Sequence, residues 1–135
     1  MIPFHLQTID HVVILAADAP RLAAFYVEVI GCKLAWDRPE LGLTHLEAGN
    51  AMLDIVSIDG PLGKNGVALP VGPGRNVDHL CLRIAPFDFE AMRRHFAAFG
   101  INVEPPQMRY GAQGRGASIY LLDPEGNGIE LKEDH

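Results

Sequence analysis

The sequence predicts an α+β fold made of two copies of one βαβββ module. Three observations carry that expectation. "IDHVVIL" (9–15) and "VDHLCLRI" (77–84) are near-copies, each an apolar residue, an aspartate and a histidine leading into a strand-like run. His11 precedes a helix-ending glycine, Gly31, by 20 residues, and His79 precedes Gly100 by 21. Both halves then close on a Gly-Asn turn and an acid-bearing strand, "GNAMLDI" against "GNGIEL", which sets Asp54 opposite Glu130.

Each element follows from local chemistry. Residues 9–15 are rich in β-branched side chains and read as a strand. In "ADAPRLAAFYVEVIG", Asp18 is placed to cap a helix and Pro20 suits its first turn. Leu22, Phe25, Tyr26 and Val29 fall on one face, and Gly31 stops the helix. Short strands are expected at 33–36, 43–48 and 51–58, the last two joined through Gly49-Asn50. The stretch 57–76 holds five glycines and three prolines and reads as a connection. The pattern then restarts with a strand at 77–84. A helix follows, capped by Asp88, with Phe89, Met92, Phe96 and Phe99 as its apolar stripe. A short strand is expected at 101–103, then a glycine-rich loop through 116, a strand at 117–122, a "DPEGNG" turn and a last strand at 129–132.

The length of 135 residues suits a single domain: module one over about 7–58, a linker over 59–76 and module two over about 77–133. With 48% hydrophobic and 21% charged residues the chain reads as globular. Its net charge of −6 and lack of a basic stripe argue against nucleic acid. No apolar run is long enough to span a membrane, so no membrane partner is expected. The first residues lack the basic-then-apolar pattern of a secretory signal. Cys32 and Cys81 form no disulfide framework, so a reducing, cytoplasmic setting is expected.

Repeat-related His11 and His79, with Asp54 and Glu130, are the donor types that bind Zn, Ni, Fe or Mn. Strand parity puts His79, Cys81 and Arg83 on one face and Leu80, Leu82 and Ile84 on the other. Arg83 is placed to meet a substrate carboxylate or phosphate, and Arg109, Tyr110 and Arg115 lie in the expected loop before the last hairpin. Asp10 and Asp78 are expected to bond nearby backbone at a strand start. His45 is expected to face solvent, and His5, His95 and His135 are read as surface or satisfied. Cys81 reads as a small buried hydrophobe.

These residues bring the chain to a known pattern. "IDHVVILAADAPRLAAFYVEVIG", "VDHLCLRI" and "YLLDPEGNGIELKE" resemble the vicinal oxygen chelate superfamily, which includes glyoxalase I, extradiol dioxygenases and bleomycin-resistance proteins. The resemblance runs from Ile9 to Glu133. It implies paired βαβββ modules in an incomplete barrel around a metal-binding cup. It also implies that His11, His79 and Glu130 match the common ligands, with Asp54 at a fourth position usually held by Glu or Gln. Aspartate reaches roughly 1.5 Å less than glutamate. The implied activity is that of a divalent-metal lyase or isomerase of glyoxalase type on a small oxygenated substrate, with Glu130, or secondarily Asp54, as the proton-shuttling carboxylate. The alternatives are an Fe(II) extradiol-type dioxygenase and a metal-free protein that sequesters a drug or metabolite. The resemblance also implies a homodimer.

Overall fold

The computed structural model describes residues 1–64 and 76–135. It resolves into two compact units, Met1–Leu69 and Pro70–His135. The first contains β1 (His11–Ala16), α1 (Ala19–Phe25), β2 (Lys33–Arg38), β3 (Leu43–Ala48), β4 (Ala51–Ser57) and a single helical turn, α2 (Pro61–Lys64). The second contains β5 (His79–Ile84), α3 (Phe89–Ala97), β6 (Gln107–Gly111), β7 (Gly114–Leu122) and β8 (Gly128–Glu133). The strand orders, β1-β4-β3-β2 and β5-β8-β7-β6, are the same path run twice. In each module the first strand lies parallel to the last and the other pairs are antiparallel. The fold is therefore the α+β pairing of βαβββ modules that the sequence predicts, with two four-stranded sheets that do not close into a barrel.

The first helix forms as its caps dictate. Asp18 accepts a hydrogen bond from the Arg21 N–H at 3.1 Å, and Pro20 sits in the first turn. The helix then widens over Tyr26–Ile30, where the Gly31 N–H reaches back five residues to the Tyr26 carbonyl at 3.0 Å. Gly31 takes a φ of 98°, which only glycine adopts cheaply, and ends it. Leu22, Tyr26 and Val29 are buried, as are Leu46, Leu53 and Ile55 on the sheet. Burial of each such side chain contributes roughly 1.5–3 kcal/mol. Phe25 is only half-buried and meets Tyr26 edge-on, at 5.5 Å between ring centres.

Three expectations need correction. No strand forms at 101–103; the second strand of module two is β6, inside the stretch read as a loop. Pro105 and Pro106 offer no N–H to a ladder, so pairing starts only after them. Arg109, Tyr110 and Arg115 therefore stand on strands, with Tyr110 paired to Arg115 across a tight turn. Phe99 is 46% exposed, because α3 ends at Ala97 and the chain turns away through Gly100. Phe96 is the buried residue of that stripe, with Phe89 and Met92 half-buried. Within the expected linker, Pro61–Lys64 is helical, and residues 65–75 lie outside the described residues.

The registers place the two modules' residues in correspondence. Asp54 pairs with Val13, two residues after His11, and Glu130 pairs with Cys81, two after His79. Across the antiparallel neighbour, Asp54 pairs with His45, whereas Glu130 pairs with Tyr120. Each module's acid thus has a ring-bearing residue beside it on the same face.

Candidate functional site

In the second module the strand that begins with His79 lies alongside the strand carrying Glu130. The Asp78 carboxylate accepts a hydrogen bond from His79 Nδ1 at 2.7 Å. With Nδ1 so engaged, Nε2 is the nitrogen left to act, and it stands 3.3 Å from Glu130 Oε2. The Asp78 hydrogen bond is also the main reason that the His79 pKa lies above 6.5, with Glu130 adding to it. The expectation that Asp78 bonds nearby backbone is thereby corrected: a side chain and its immediate neighbour meet through the short reach of aspartate.

Glu130 is only 6% exposed. The Tyr120 hydroxyl donates to its other oxygen, Oε1, at 2.6 Å, and Arg109 Nε donates to that hydroxyl at 3.2 Å. Burial works against the Glu130 charge, but the hydrogen bond from Tyr120, the Cys81 thiol and the charge of His79 outweigh it and hold the carboxyl below its ordinary value. Partial burial, followed by proximity to Glu130, pushes the Cys81 thiol up to about 12. Cys81 is exposed rather than buried as the sequence suggested, and its thiol stays protonated at neutral pH. It is a partner of Glu130 and not a nucleophile. The "DPEGNG" turn sets the start of β8: buried Asp123 accepts from the Glu125 N–H at 2.9 Å, the Asn127 N–H at 2.9 Å and Asn127 Nδ2 at 2.8 Å.

The first module repeats part of this. Asp10 engages His11 Nδ1 at 2.7 Å and is the first cause of a His11 pKa above 6.5, so Asp10 too departs from the expected backbone contact. Asp54 is 7% exposed and accepts from His45 Nδ1 at 2.9 Å. His45 is half-buried, which corrects its expected solvent position, and it stacks on Trp36 with ring centres 5.8 Å apart. Trp36 faces it because the β2–β3 register shifts between Leu34 and Trp36, and Arg38 lies over the indole at 4.2 Å.

Among the remaining candidates, Arg83 is exposed on the His79 face with Asp134 at 4.0 Å, and Arg115 is exposed on β7. A pocket of about 530 Å³ opens beside His79, lined by Asp78, Tyr120, Leu122 and Gly128 among others. Sequence reading did not single out Tyr120, nor did it give Asp10, Asp78 and His45 their roles. The signal for His45 was present: it and Asp54 are equidistant from the Gly49-Asn50 turn, which makes them cross-strand partners.

Two donors of the second module, His79 and Glu130, have the spacing that two ligands of one divalent ion would have. Metal–nitrogen bonds of about 2.0–2.1 Å and metal–oxygen bonds of about 2.0–2.2 Å at a tetrahedral angle put two ligand atoms about 3.4 Å apart. The 3.3 Å from His79 Nε2 to Glu130 Oε2 matches that edge. Among the described residues no group of three or more His, Cys, Asp or Glu side chains is gathered as a metal-ligand cluster.

A family profile, that of the Glyoxalase/Bleomycin resistance protein/Dioxygenase superfamily, matches residues 8–131. The chain belongs to that superfamily. Among solved structures it resembles an integron cassette protein from the mobile metagenome of V. cholerae, with 26% identity and a TM-score of 0.75 over 99% of this chain and 100% of that one. A virulence protein from Salmonella typhimurium superposes with a TM-score of 0.76 at 24% identity, over 98% of this chain and 100% of that one. A lactoylglutathione lyase from Agrobacterium tumefaciens gives 0.67 at 23%, over 95% and 94%. The last two likenesses are of fold. Among the described residues no helix is long and apolar enough to cross a membrane.

Proposed function

We propose that this superfamily member is a divalent-metal-dependent enzyme of glyoxalase type, a lyase or isomerase acting on a small substrate through two neighbouring oxygens. One observation carries the reading: His79 Nε2 and Glu130 Oε2 are spaced as two ligands of one ion, with Asp78 holding the other face of the imidazole. The proposed donor set is His11, His79 and Glu130, with Asp54 as the fourth. Asp54 Oδ1 is taken by His45, which leaves Oδ2 for that role. When bound, the metal (Zn, Ni, Fe or Mn) supplies Lewis-acid polarisation of the substrate oxygens.

The chain's own residues do the rest. Glu130 is held ionised by its hydrogen bonds and is the proposed proton acceptor, returning the proton to the neighbouring carbon. Tyr120 fixes the orientation of that carboxylate, and Arg109 fixes Tyr120. Arg83, Arg109 and Arg115 are the proposed substrate-binding cations. The proposed working unit is a homodimer.

A second reading is favoured by the engagement of Asp54 with His45. If Asp54 stays there, two histidines and one glutamate with open positions make the set typical of non-haem Fe(II) oxygenases, and the enzyme is an extradiol-type dioxygenase. The deciding experiment is elemental analysis of protein purified without chelator or nickel resin. Stoichiometric metal that disappears in a His11→Ala/His79→Ala variant is expected. A native protein that holds no metal and takes up none of the four ions overturns the proposal. Zinc or nickel with turnover of a methylglyoxal–thiol hemithioacetal selects the first reading; iron with oxygen consumption on a catechol selects the second.

A further inference from the structure

The duplication supplies an internal control for every position on the sheet faces. Two residues beyond each acid, one row of side chains crosses three of the sheet's four strands and is met on the edge strand by Arg38 in the first module and Gln107 in the second. In the first module that row is Leu15, Val56 and Leu43, joined by the registers Leu15↔Val56 and Leu43↔Val56. Val56 and Leu43 are buried and Leu15 is half-buried, so these three strands carry apolar residues there, and the row ends in Arg38 on the edge strand β2. In the second module the same row is Arg83, Lys132 and Ser118, joined by Arg83↔Lys132 and Ser118↔Lys132. All three apolar residues are replaced by polar ones, two of them cationic.

Burial makes this replacement costly. Lys132 is 3% exposed and Ser118 is 1% exposed. Lys132 Nζ and Ser118 Oγ each lack a well-formed hydrogen bond among the described residues. Ser118 lies near enough to Glu130 to favour its charge, without that contact meeting hydrogen-bond geometry. An ammonium buried without a hydrogen bond is among the more expensive arrangements in a protein, and a hydrophobic residue of similar volume is the stable alternative. Glu133 Oε1, which lies over Gly116 beside Nζ, is the nearby carboxylate that a bound anion has to outcompete. The backbone also makes room for it. A Cβ on Gly111 would stand 2.9 Å from Lys132 Cε, and one on Gly116 would stand 2.6 Å from Lys132 Nζ. The glycines that gave β6 and β7 their loop-like appearance form the lane in which the lysine lies.

We propose that the row Arg83–Lys132–Ser118 is an anion-recognition site. Resting on the function proposed above, it specifies a substrate that carries a carboxylate or phosphate group besides its two neighbouring oxygens. Arg83 is the exposed member that meets the anion, and its only ion pair among the described residues is the loose one with Asp134. Lys132 adds its charge from beneath, where low dielectric strengthens it, and Ser118 adds a hydroxyl donor. A two-residue step along a strand is roughly 6.6 Å, so the anionic group lies about that far from the Glu130 row. This favours a short substrate with its acid group a few bonds from the reacting oxygens.

The test is titration calorimetry at fixed ionic strength with inorganic phosphate and, separately, succinate as probes. It uses chelator-stripped protein, so that the result does not depend on the metal. Wild type is expected to bind at least one probe, and which one it prefers distinguishes phosphate from carboxylate recognition. Lys132→Met is expected to bind at least about tenfold more weakly and to melt at or above the wild-type temperature, because an unpaired buried charge has gone. Gly116→Ala keeps the charge but displaces the ammonium, and is expected to weaken binding too, which decides the matter if Lys132→Met does not fold. No probe binding by wild type, or binding unchanged in both variants, overturns the proposal. So does a Lys132→Met protein that loses stability and keeps its affinity, since the lysine is then structural. Probe binding that survives in a protein unable to take up metal supports this row while removing the proposed enzyme function.

Discussion

An aspartate immediately before a histidine is a device for choosing which imidazole nitrogen is free. In both modules the carboxylate takes Nδ1 at 2.7 Å, so Nε2 is the available face. Asp78→Asn should therefore act on His79 without touching any ligand. Its imidazole should titrate closer to 6.5 by NMR, and metal affinity, measured by chelator competition, should fall about 10–100-fold. Unchanged affinity in that variant would mean that Asp78 merely decorates the strand start. The acid's other neighbour gives an independent check. Cys81 is exposed, yet its thiol is pushed up to about 12, burial first and Glu130 second. Alkylation of Cys81 by iodoacetamide at pH 8 should be slow for an exposed cysteine, and Glu130→Gln should speed it several-fold by removing the nearby negative charge. A slower or equal rate in the variant would show that Glu130 does not govern the thiol. The sequence made the histidines and acids visible as a repeat. It hid Tyr120 and Lys132, because their importance lies in cross-strand pairing rather than in any local motif.

At the level of elements, legibility followed the strength of local signals. β3, β4 and the Gly49-Asn50 turn were readable because alternation and turn chemistry agree there. β6 was not, because Pro105, Pro106, Gly111, Gly114 and Gly116 spell a loop when read alone. Gly111 and Gly116 answer instead to a tertiary demand, the passage of Lys132, while Gly114 takes the positive φ of the β6–β7 turn. The "DPEGNG" turn shows the opposite case, a local signal strong enough to set tertiary geometry. Buried Asp123 gathers three hydrogen bonds there and fixes where β8, and so Glu130, begins. Asp123→Ala leaves those donors without their partner and should lower stability by about 1–3 kcal/mol in urea unfolding. Because the turn supports Glu130, the loss should extend to metal affinity. A variant as stable as wild type would mean that the β7–β8 ladder alone sets the register.

For the molecule as a whole, the same ionisations should couple metal, pH and stability with opposite signs. In the metal-free chain the His11 and His79 pKa values lie above 6.5, chiefly through Asp10 and Asp78. A raised histidine pKa gives stability that is fully present below about 6.5 and is lost as pH rises through the folded value. Glu130 works the other way: its carboxyl lies below its ordinary value of 4.5, so its contribution is present above about 4.5 and is lost only as pH falls through the lower folded value. Between pH 6 and 8 Glu130 is therefore constant, and the histidines alone change. A bound metal needs neutral imidazole and displaces the protons that Asp10 and Asp78 favour, so its stabilisation grows over that interval. At a free metal concentration a thousand times the dissociation constant, binding adds about 4 kcal/mol. The melting temperatures of stripped and metal-loaded protein should accordingly diverge as pH rises from 6 to 8. The stripped form should lose stability while the loaded form holds or gains. The control is a His11→Ala/His79→Ala variant, in which the two curves should coincide at every pH. A gap in wild type that stays flat, or narrows as pH rises, would place the metal on groups other than these histidines.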